Sequence, residues 1–132
     1  MPEWVVGKIA EGLNQHKKAI NGSRILLLGI AYKKNVDDMR ESPAVEIMSQ
    51  LNNLGAKVDY SDPHVPKLPK MRRYDFDLKS TELSPEALTE YDCVVITTDH
   101  DAFNYDSIKQ NASLIVDTRG KYRAPADNII KA

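Results

Sequence analysis

SRILLLGIAYKKNVDDMRESPAVE, residues 23–46, contains the strongest structural signals of this chain. Its apolar run at 25–28 has the length of a strand buried on both faces, and Gly29 follows that run directly. The polar connection at 32–42 is longer than the roughly 2–6 residues that usually link a strand to a helix. Because α/β proteins bind ligands outside the carboxyl ends of parallel strands, we expect this connection to belong to a binding site. A solvated loop whose charges pair with one another is the alternative.

Hydrophobic spacing predicts alternating helices and strands along the whole chain. Helices are expected at 2–20, 42–54, 84–90 and 105–109, and strands at 24–28, 56–60, 93–96 and 114–116. Asn21 and Gly22 are expected to end the first helix, and Leu54 to lie in the buried stripe of the second. The pattern predicts an α/β fold: a Rossmann-like parallel sheet with helices on both faces, preceded by an amphipathic linker helix.

The segment at 62–83 shows little regular structure, because its prolines interrupt any helix. Phe76 and Leu78 are expected to form a short edge strand. A basic cluster surrounds the prolines and consists of Lys67, Lys70, Arg72 and Arg73. Such a cluster could act as a lid over an anionic substrate, but a solvated insertion is the favoured interpretation.

Length and charge limit the classes of function. A chain of 132 residues with 42% hydrophobic and 28% charged residues has the composition of one globular domain. A net charge of −1 and a pI near 6.3 give no global electrostatic attraction to nucleic acids or membranes. One cysteine permits no internal disulfide, and no apolar run approaches the roughly 18 residues of a membrane span. We therefore expect a cytoplasmic protein. We also expect no metal site, because the Cys and His residues lack metal-ligand spacing.

Four motifs resemble one family of enzymes. Residues 29–44, GIAYKKNVDDMRESPA, closely resemble the segment that opens the C-terminal domain of UDP-glucose/GDP-mannose dehydrogenases. Three further motifs follow in that family's order: YSDPHVP at 60–66, CVVITTDH at 93–100 and VDTRG at 116–120. The tyrosine and the Val-Asp-Asp are most similar to the branch acting on UDP-N-acetylhexosamines, which includes UDP-N-acetyl-D-glucosamine 6-dehydrogenase.

The resemblance implies a function for the chain as part of a larger enzyme. Residues 21–132 would be the UDP-sugar-binding C-terminal domain of an NAD-dependent UDP-sugar 6-dehydrogenase, and residues 1–20 a linker helix with dimer contacts. The full enzyme, a homodimer, would oxidise the C6 hydroxyl of UDP-N-acetylglucosamine or UDP-glucose to the uronate, a step of polysaccharide biosynthesis. NAD would be bound mainly by an N-terminal domain that precedes this sequence. The isolated chain is therefore predicted to be inactive.

Lys33 and Tyr32 are the predicted substrate-binding residues. A lysine at the carboxyl end of a strand is a mobile point charge suited to a diphosphate. The resemblance implies that Lys33 reaches the diphosphate of the UDP-sugar and that Tyr32 lies against the same ligand. A surface position is the alternative for Lys33 and the favoured interpretation for Lys34.

Charged residues further along the motif are predicted to have supporting roles. Arg40 and Glu41 are expected to hold the shape of the binding loop, since carboxylates beside an arginine usually pair with it and with backbone donors. Arg119 follows the fourth predicted strand, at the same edge of the sheet as Lys33. The resemblance implies that Arg119 contacts NAD across the domain interface. Gly120 stands where some relatives carry a second arginine, and a surface arginine is the alternative.

No residue of the chain is predicted to be catalytic. The family uses a nucleophilic cysteine, but Cys93 lies inside an apolar strand, where a thiol is poorly reactive. Asp99 and His100 are neighbours on an extended chain and point apart, so they are expected to form a loop near the site without a chemical role.

Two other classes of function remain open. A non-enzymatic nucleotide-binding or oligomerisation module would dimerise through the first helix, with Trp4 and Val5 in the contact. A phosphoacceptor receiver domain fits less well, because Asp37 and Asp38 fall well past the end of the first strand. The sequence does not determine which UDP-sugar is bound.

Overall fold

The computed structural model describes residues 2–31, 43–67, 79–122 and 126–132, and its centre is a parallel sheet. The strands are β1 (Arg24–Leu28), β2 (Lys57–Ser61), β3 (Cys93–Ile96), β4 (Ile115–Asp117) and β5 (Ile129–Lys131). Their order across the sheet is β2-β1-β3-β4-β5, and each neighbouring pair is parallel. The predicted Rossmann-like sheet is confirmed. β1 and β3 have the predicted bounds, while β2 and β4 are displaced from them by one residue.

Helices cover both faces of the sheet, as predicted. They are α1 (Pro2–Gln15), α2 (Pro43–Asn53), α3 (Pro85–Thr89) and α4 (Tyr105–Asn111). Successive side chains of a strand point to opposite faces, so Ile25 and Leu27 join one core cluster while Leu26 and Leu28 join the other. The first cluster holds the apolar side chains of α1 and α2, and the second holds those of α3 and α4. This explains why the run in β1 is apolar without alternation.

The first helix is shorter than the sequence predicts, because it ends at Gln15. Lys17 has a φ of 60°, in the left-handed region. The amides of Lys17 and Lys18 donate to the carbonyls of Asn14 and Leu13 at 3.0 and 2.9 Å. This is the hydrogen-bond pattern of a Schellman motif, in which a left-handed residue ends the helix. A lysine occupies the position that glycine usually fills, so the sequence offers no stop signal there.

Helical spacing predicts Leu54 in the buried stripe of the second helix, and this prediction is wrong. The residue lies past the end of α2 and is 50% exposed. Gly55 has a φ of 93° and turns the chain towards β2, so the helical spacing does not extend to Leu54. The buried side chains of α2 are Ala44, Val45, Ile47, Met48 and Leu51.

Strand β5 has no counterpart in the sequence prediction, because three residues are too few to show a periodic pattern. Tertiary contacts define it instead. The side-chain amide of Asn128 donates to the carbonyls of Lys109 and Ala112 at 3.0 and 3.1 Å. The amide of Ile115 donates to the carbonyl of Asn128 at 2.7 Å, which brings the last segment alongside β4.

Helix α1 is part of the core. Its residues Val6, Ile9 and Leu13 are buried in the same cluster as α2. Val5, predicted to lie in a dimer contact, is only 3% exposed and belongs to this core, so it is unavailable to a partner. Trp4 is 57% exposed, and the ammonium of Lys8 lies 4.9 Å from its ring centre.

Other predictions fall on residues outside the described ranges. These include the edge strand at Phe76 and Leu78 and the basic residues Lys70, Arg72 and Arg73. Lys67 is described and forms an isolated antiparallel bridge with Lys79. None of the helices in the described ranges is long and apolar enough to cross a bilayer.

Candidate functional site

The carboxyl ends of β1, β2, β3 and β4 lie at one edge of the sheet, and the candidate site is built there. The substrate-binding prediction for Tyr32 and Lys33, and the supporting role for Arg40 and Glu41, fall outside the described residues. The structure does describe the chain from β1 up to Ala31, the residue directly before Tyr32. The ends of β2 and β3 and the residues that follow them fix residues 28–31 in three ways.

The first is a close approach between Gly29 and Thr98. Gly29 has a φ of 88°, and its amide donates to the carbonyl of Ser61 at 2.8 Å. A Cβ at this position would lie 2.8 Å from the amide nitrogen of Thr98 and would overlap that residue's side chain. Only glycine fits a left-handed turn this close to another strand.

The second is the Thr97–Thr98 pair that follows β3. Both amides donate to the carbonyl of Leu28, at 3.0 and 3.1 Å. The Thr97 hydroxyl donates to the carbonyls of Leu28 and Gly29, and the Thr98 hydroxyl donates to that of Ala31 at 2.7 Å. These bonds satisfy carbonyls at the end of the strand ladder and directly beyond it.

The third is the carboxylate of Asp62, which directly follows β2 and is 1% exposed. Its Oδ2 accepts hydrogen bonds from the amides of Ile30 and Ala31, at 2.8 and 3.1 Å. Its Oδ1 accepts from the amide of His64 at 2.8 Å. A buried carboxylate requires several donors of this kind to offset the water it has lost, and here the donors are backbone groups.

His100 completes the environment of Asp62. Its Nε2 lies 2.9 Å from Oδ2 of Asp62, and its ring is fully buried. Because a carboxylate only accepts, Nε2 carries the hydrogen in this bond. The ring lies 4.7 Å from that of His64 and 5.7 Å from that of Phe103. His100 therefore pairs with Asp62 across the sheet rather than with its neighbour Asp99.

Arg119 lies at the same edge, after β4. Its Nε donates to the carbonyl of Thr97 at 2.9 Å, while the residue as a whole is exposed. Asp117, fully buried, holds the turn: its carboxylate accepts from the amides of Arg119 and Tyr122 at 3.0 and 2.9 Å. The structure thus anchors the arginine to Thr97, whose neighbour Thr98 contacts the end of the first strand.

Two tyrosines support this turn from the side of α4. The Tyr122 hydroxyl donates to the carbonyl of Tyr105 at 2.6 Å, and the Tyr105 hydroxyl donates to that of His100 at 2.7 Å. Burial, followed by nearby carboxylates, raises the pKa of both phenols above their ordinary value of 10.0. Both remain neutral donors at physiological pH and connect the segments after β3 and β4.

The Cys93 thiol and the His100 ring, the two groups that the sequence offers as reactive candidates, are both buried. Cys93 is fully buried, as predicted, and burial, reinforced by the charge of Asp92, raises the pKa of its thiol. Both effects support the prediction of an inert cysteine. His100 is enclosed as well. Among the described residues, no three His, Cys, Asp or Glu side chains are grouped as metal ligands.

A cavity of about 270 Å³ opens beside the end of β2, between Pro63, Leu83 and Phe103. Among its lining residues the one with a charge is Glu82, which would repel a diphosphate. The cationic side chains of the described edge lie elsewhere, at Arg119 and Lys121. The cavity is therefore a poor site for the charged part of a nucleotide.

Sequence reasoning missed the roles of Thr98, Asp62 and Asp117 at this edge, and it placed His100 in a loop near the site without its bond to Asp62. A usable signal existed for the two aspartates. Each lies at or directly after the end of a buried strand, where a charged side chain has no packing role. The pairing of Asp62 with His100 depends on strand order and could not be found from local spacing.

Comparison with known proteins identifies the family. A family model described as the UDP binding domain of the UDP-glucose/GDP-mannose dehydrogenase family matches residues 26–124. The UDP-N-acetyl-D-mannosamine dehydrogenase of Methanococcus maripaludis is 35% identical over 103 residues, which are 78% of this chain and 22% of that protein. The UDP-glucose 6-dehydrogenase of Rhizobium meliloti is 36% identical over 109 residues, 79% of this chain and 24% of that protein.

A solved structure agrees with the sequence comparison. The UDP-N-acetylmannosamine dehydrogenase of Pyrococcus horikoshii superposes with a TM-score of 0.75 and 26% identity, over 98% of this chain and 29% of that chain. The chain thus spans less than a third of the length of each of these relatives. Since the family model covers most of the 132 residues, this chain belongs to the UDP-glucose/GDP-mannose dehydrogenase family and carries its UDP binding domain.

Proposed function

We propose that the chain is the UDP-sugar-binding C-terminal domain of an NAD-dependent UDP-sugar 6-dehydrogenase. The whole enzyme would oxidise the C6 hydroxyl of the sugar to a carboxylate, and UDP-N-acetylglucosamine or UDP-glucose is the proposed substrate. The observation that carries the proposal is the family match, which begins inside β1 and includes the whole loop at the carboxyl edge. Relatives named for UDP-N-acetylmannosamine and for UDP-glucose support a UDP-sugar without selecting the hexose.

In this proposal Lys33 contacts the diphosphate and Tyr32 lies against the same ligand. Support comes from the bonds that hold Gly29, Ile30 and Ala31, because they fix the chain immediately before these two residues. Preorganisation of the residues that lead to a contact lowers the entropy lost on binding. Arg40 and Glu41 are proposed to support the rest of the loop, and Arg40→Ala should lower the melting temperature.

Arg119 is proposed to contact NAD from the far side of a domain interface. The position of Arg119 supports this proposal, because its Nε is anchored to the carbonyl of Thr97 while the residue as a whole is exposed and can reach a ligand. A guanidinium group is well suited to bind the phosphate oxygens of NAD. NAD, when bound, supplies the hydride acceptor, and most of its contacts are assigned to an N-terminal NAD-binding domain. The turn after β1 has the sequence Gly29-Ile30-Ala31 and no glycine-rich dinucleotide loop.

The proposed arrangement of the protein keeps residues 1–20, which include α1 (Pro2–Gln15), as a linker and dimerisation segment and residues 21–132 as the binding domain. The exposed ring of Trp4 supports a homodimer contact on α1. A role in polysaccharide biosynthesis and a cytoplasmic location stay predictions from the sequence.

Calorimetric titration of the chain tests the function. We expect binding of UDP, UDP-N-acetylglucosamine, UDP-N-acetylmannosamine and UDP-glucose, with the affinity for UDP reduced at least about tenfold in Lys33→Ala, as for loss of one charge-assisted contact. Lys34→Ala is the matched control, because the neighbouring lysine is expected at the surface. Equal losses in both variants would show a nonspecific charge effect and contradict the role of Lys33. Absence of UDP binding to the unmodified chain would contradict the proposed function.

A further inference from the structure

We propose that Asp62, held in place by His100, is the positioning residue of the substrate-binding loop, an inference that rests on the proposed function. The two residues come from separate segments, after β2 and after β3, and meet behind the end of β1. Their role would be to set the direction in which the chain leaves β1 towards Tyr32 and Lys33.

The contacts of one oxygen atom carry this inference. Oδ2 of Asp62 accepts from the amides of Ile30 and Ala31 and from Nε2 of His100, all between 2.8 and 3.1 Å. Bonds to a carboxylate are shorter and about twice as strong as bonds between neutral groups. Two consecutive peptide planes are therefore held by one rigid, buried acceptor. Lys33 is the second residue past Ala31, so a rotation of the Ala31 peptide would move its side chain.

The location of Asp62 and His100 indicates that they do not serve to stabilise the sheet itself. The register of β1 with β2 ends at Leu28 and Ser61, and the register of β1 with β3 ends at Ile96. Asp62 and His100 lie beyond these ends and close no rung of the ladder. Replacing buried ionic groups with well-packed apolar residues is often neutral or stabilising, so stability alone does not account for a buried Asp62 side chain held by His100. Orientation of the loop accounts for it better.

Three variants separate positioning from stability. In His100→Gln the side-chain amide can still donate to Asp62, whereas in His100→Leu it cannot. In Asp62→Asn the side chain keeps one acceptor oxygen and loses the negative charge. Leu88→Ala is the matched control: it removes a buried side chain of α3 from the second core cluster. It should lower stability without changing the direction of the loop.

The measurement is calorimetric titration with UDP at a temperature where each variant is folded. We expect His100→Leu and Asp62→Asn to weaken the affinity for UDP about tenfold, while His100→Gln stays within about threefold of the unmodified chain. Leu88→Ala should bind as the unmodified chain does. The amide proton resonances of Ile30 and Ala31 give an independent readout, since loss of a charged acceptor shifts them upfield in Asp62→Asn.

The outcomes distinguish this inference from the proposed function. Unchanged UDP affinity in His100→Leu and Asp62→Asn, together with loss of affinity in Lys33→Ala, would overturn the positioning role and leave the function standing. Equal weakening in His100→Leu and Leu88→Ala would show that stability alone is responsible and would also overturn it. If the unmodified chain fails to bind UDP, the function and this inference both fall.

Discussion

Gly29 determines how closely β1 can approach β3 at the carboxyl edge. Two separate constraints act on it: a φ of 88° and the backbone of Thr98, whose carbonyl oxygen would lie 2.5 Å from a Cβ. Gly22 is subject to the first constraint alone, because its φ is 86° but a Cβ added there would have no neighbour within 4 Å. The two glycines therefore separate the cost of a left-handed backbone from that of steric overlap.

Substitution by alanine should show this difference. We expect Gly22→Ala to lower the free energy of unfolding by about 1–2 kcal/mol, the usual cost of a left-handed conformation for a residue with a Cβ. Gly29→Ala should lower it by about 3–5 kcal/mol, since overlap with Thr98 adds to the same backbone cost. Urea unfolding of both variants measures the difference, and equal losses would contradict the close approach.

Because of Tyr60, the stability of the domain should fall as the pH rises in the alkaline range. Burial, reinforced by the negative charge of Asp62, raises its pKa from 10.0 to about 12. The unfolded chain ionises its phenol at the ordinary value, so the contribution of Tyr60 is complete below about pH 10 and is lost as the pH rises towards about 12. Tyr105 and Tyr122, whose pKa values are also raised, act in the same direction.

The variant Tyr60→Phe should reveal this dependence. At about pH 8 it should lose about 1 kcal/mol of unfolding free energy, because the hydroxyl no longer donates to the carbonyl of Val65 at 2.8 Å. At about pH 11 the unmodified chain also loses the contribution of a neutral phenol, so the difference between the two should shrink or reverse. Urea unfolding at both pH values provides the comparison, and a constant difference would refute the assignment.

Among the helices and strands, the end of α1 is set by tertiary contacts that local sequence signals do not show. The helix ends in a Schellman pattern with Lys17 at the left-handed position, and Lys18 then bonds Asp92 at 2.7 Å next to the start of β3. The ion pair, with the amide of Arg24, outweighs desolvation and lowers the pKa of Asp92. Tertiary contacts of the residues after Lys17 stabilise this helix end, although a lysine does not favour the left-handed conformation found there.

Glycine at this position should therefore stabilise the domain. We expect Lys17→Gly to raise the free energy of unfolding by about 0.5–1 kcal/mol, because the relief of left-handed strain exceeds the greater flexibility of the unfolded chain. Lys17→Ala is the matched control and should give no gain, since alanine keeps the Cβ. Thermal unfolding is sufficient for the comparison. A gain in both variants would point to the lysine charge as the cause.

Elements with strong local signals could be predicted from the sequence, and those defined by tertiary contacts could not. β1 and β3 are continuous apolar runs, and α3 begins at Ser84, whose side chain accepts from the amide of Ala87 as a capping residue should. β5 is the contrary case: it has three residues and depends on Asn128 for its position. Its position beside β4 depends on contacts with residues that are distant in the sequence.

At the scale of the whole molecule, the same distinction applies to the candidate site. Strand order places the segments after β1, β2, β3 and β4 at one edge, and this follows from the predicted parallel sheet. Arg119 can be placed there from the sequence because it directly follows a strand. Asp62 and His100 are 38 positions apart and meet only because β2 and β3 flank β1. A single sequence shows that each residue lies at a strand end but does not show which of them meet.

The proposed role of this chain as one domain of a larger enzyme leads to a final prediction. Its 132 residues span less than a third of each relative described above, and Cys93 is buried with a raised thiol pKa. In the proposed function the carboxyl edge binds the UDP-sugar, whereas the two successive oxidations at C6 also need NAD as the hydride acceptor, and the second oxidation needs a nucleophile that adds to the aldehyde. We therefore expect the purified chain to bind UDP-sugars and to produce no NADH from UDP-glucose or UDP-N-acetylglucosamine.

Absorbance of NADH measures this directly, with a full-length enzyme of the family as the positive control and calorimetry to show that the same sample of the chain is competent to bind. A thiol reagent adds a second readout: Cys93 should react only after unfolding, because its thiolate is strongly disfavoured in the core. NADH production that survives Cys93→Ala would place the chemistry on other residues of this chain. Production that disappears in that variant would make Cys93 a nucleophile that gains access during turnover, and either result would contradict a domain that binds without reacting.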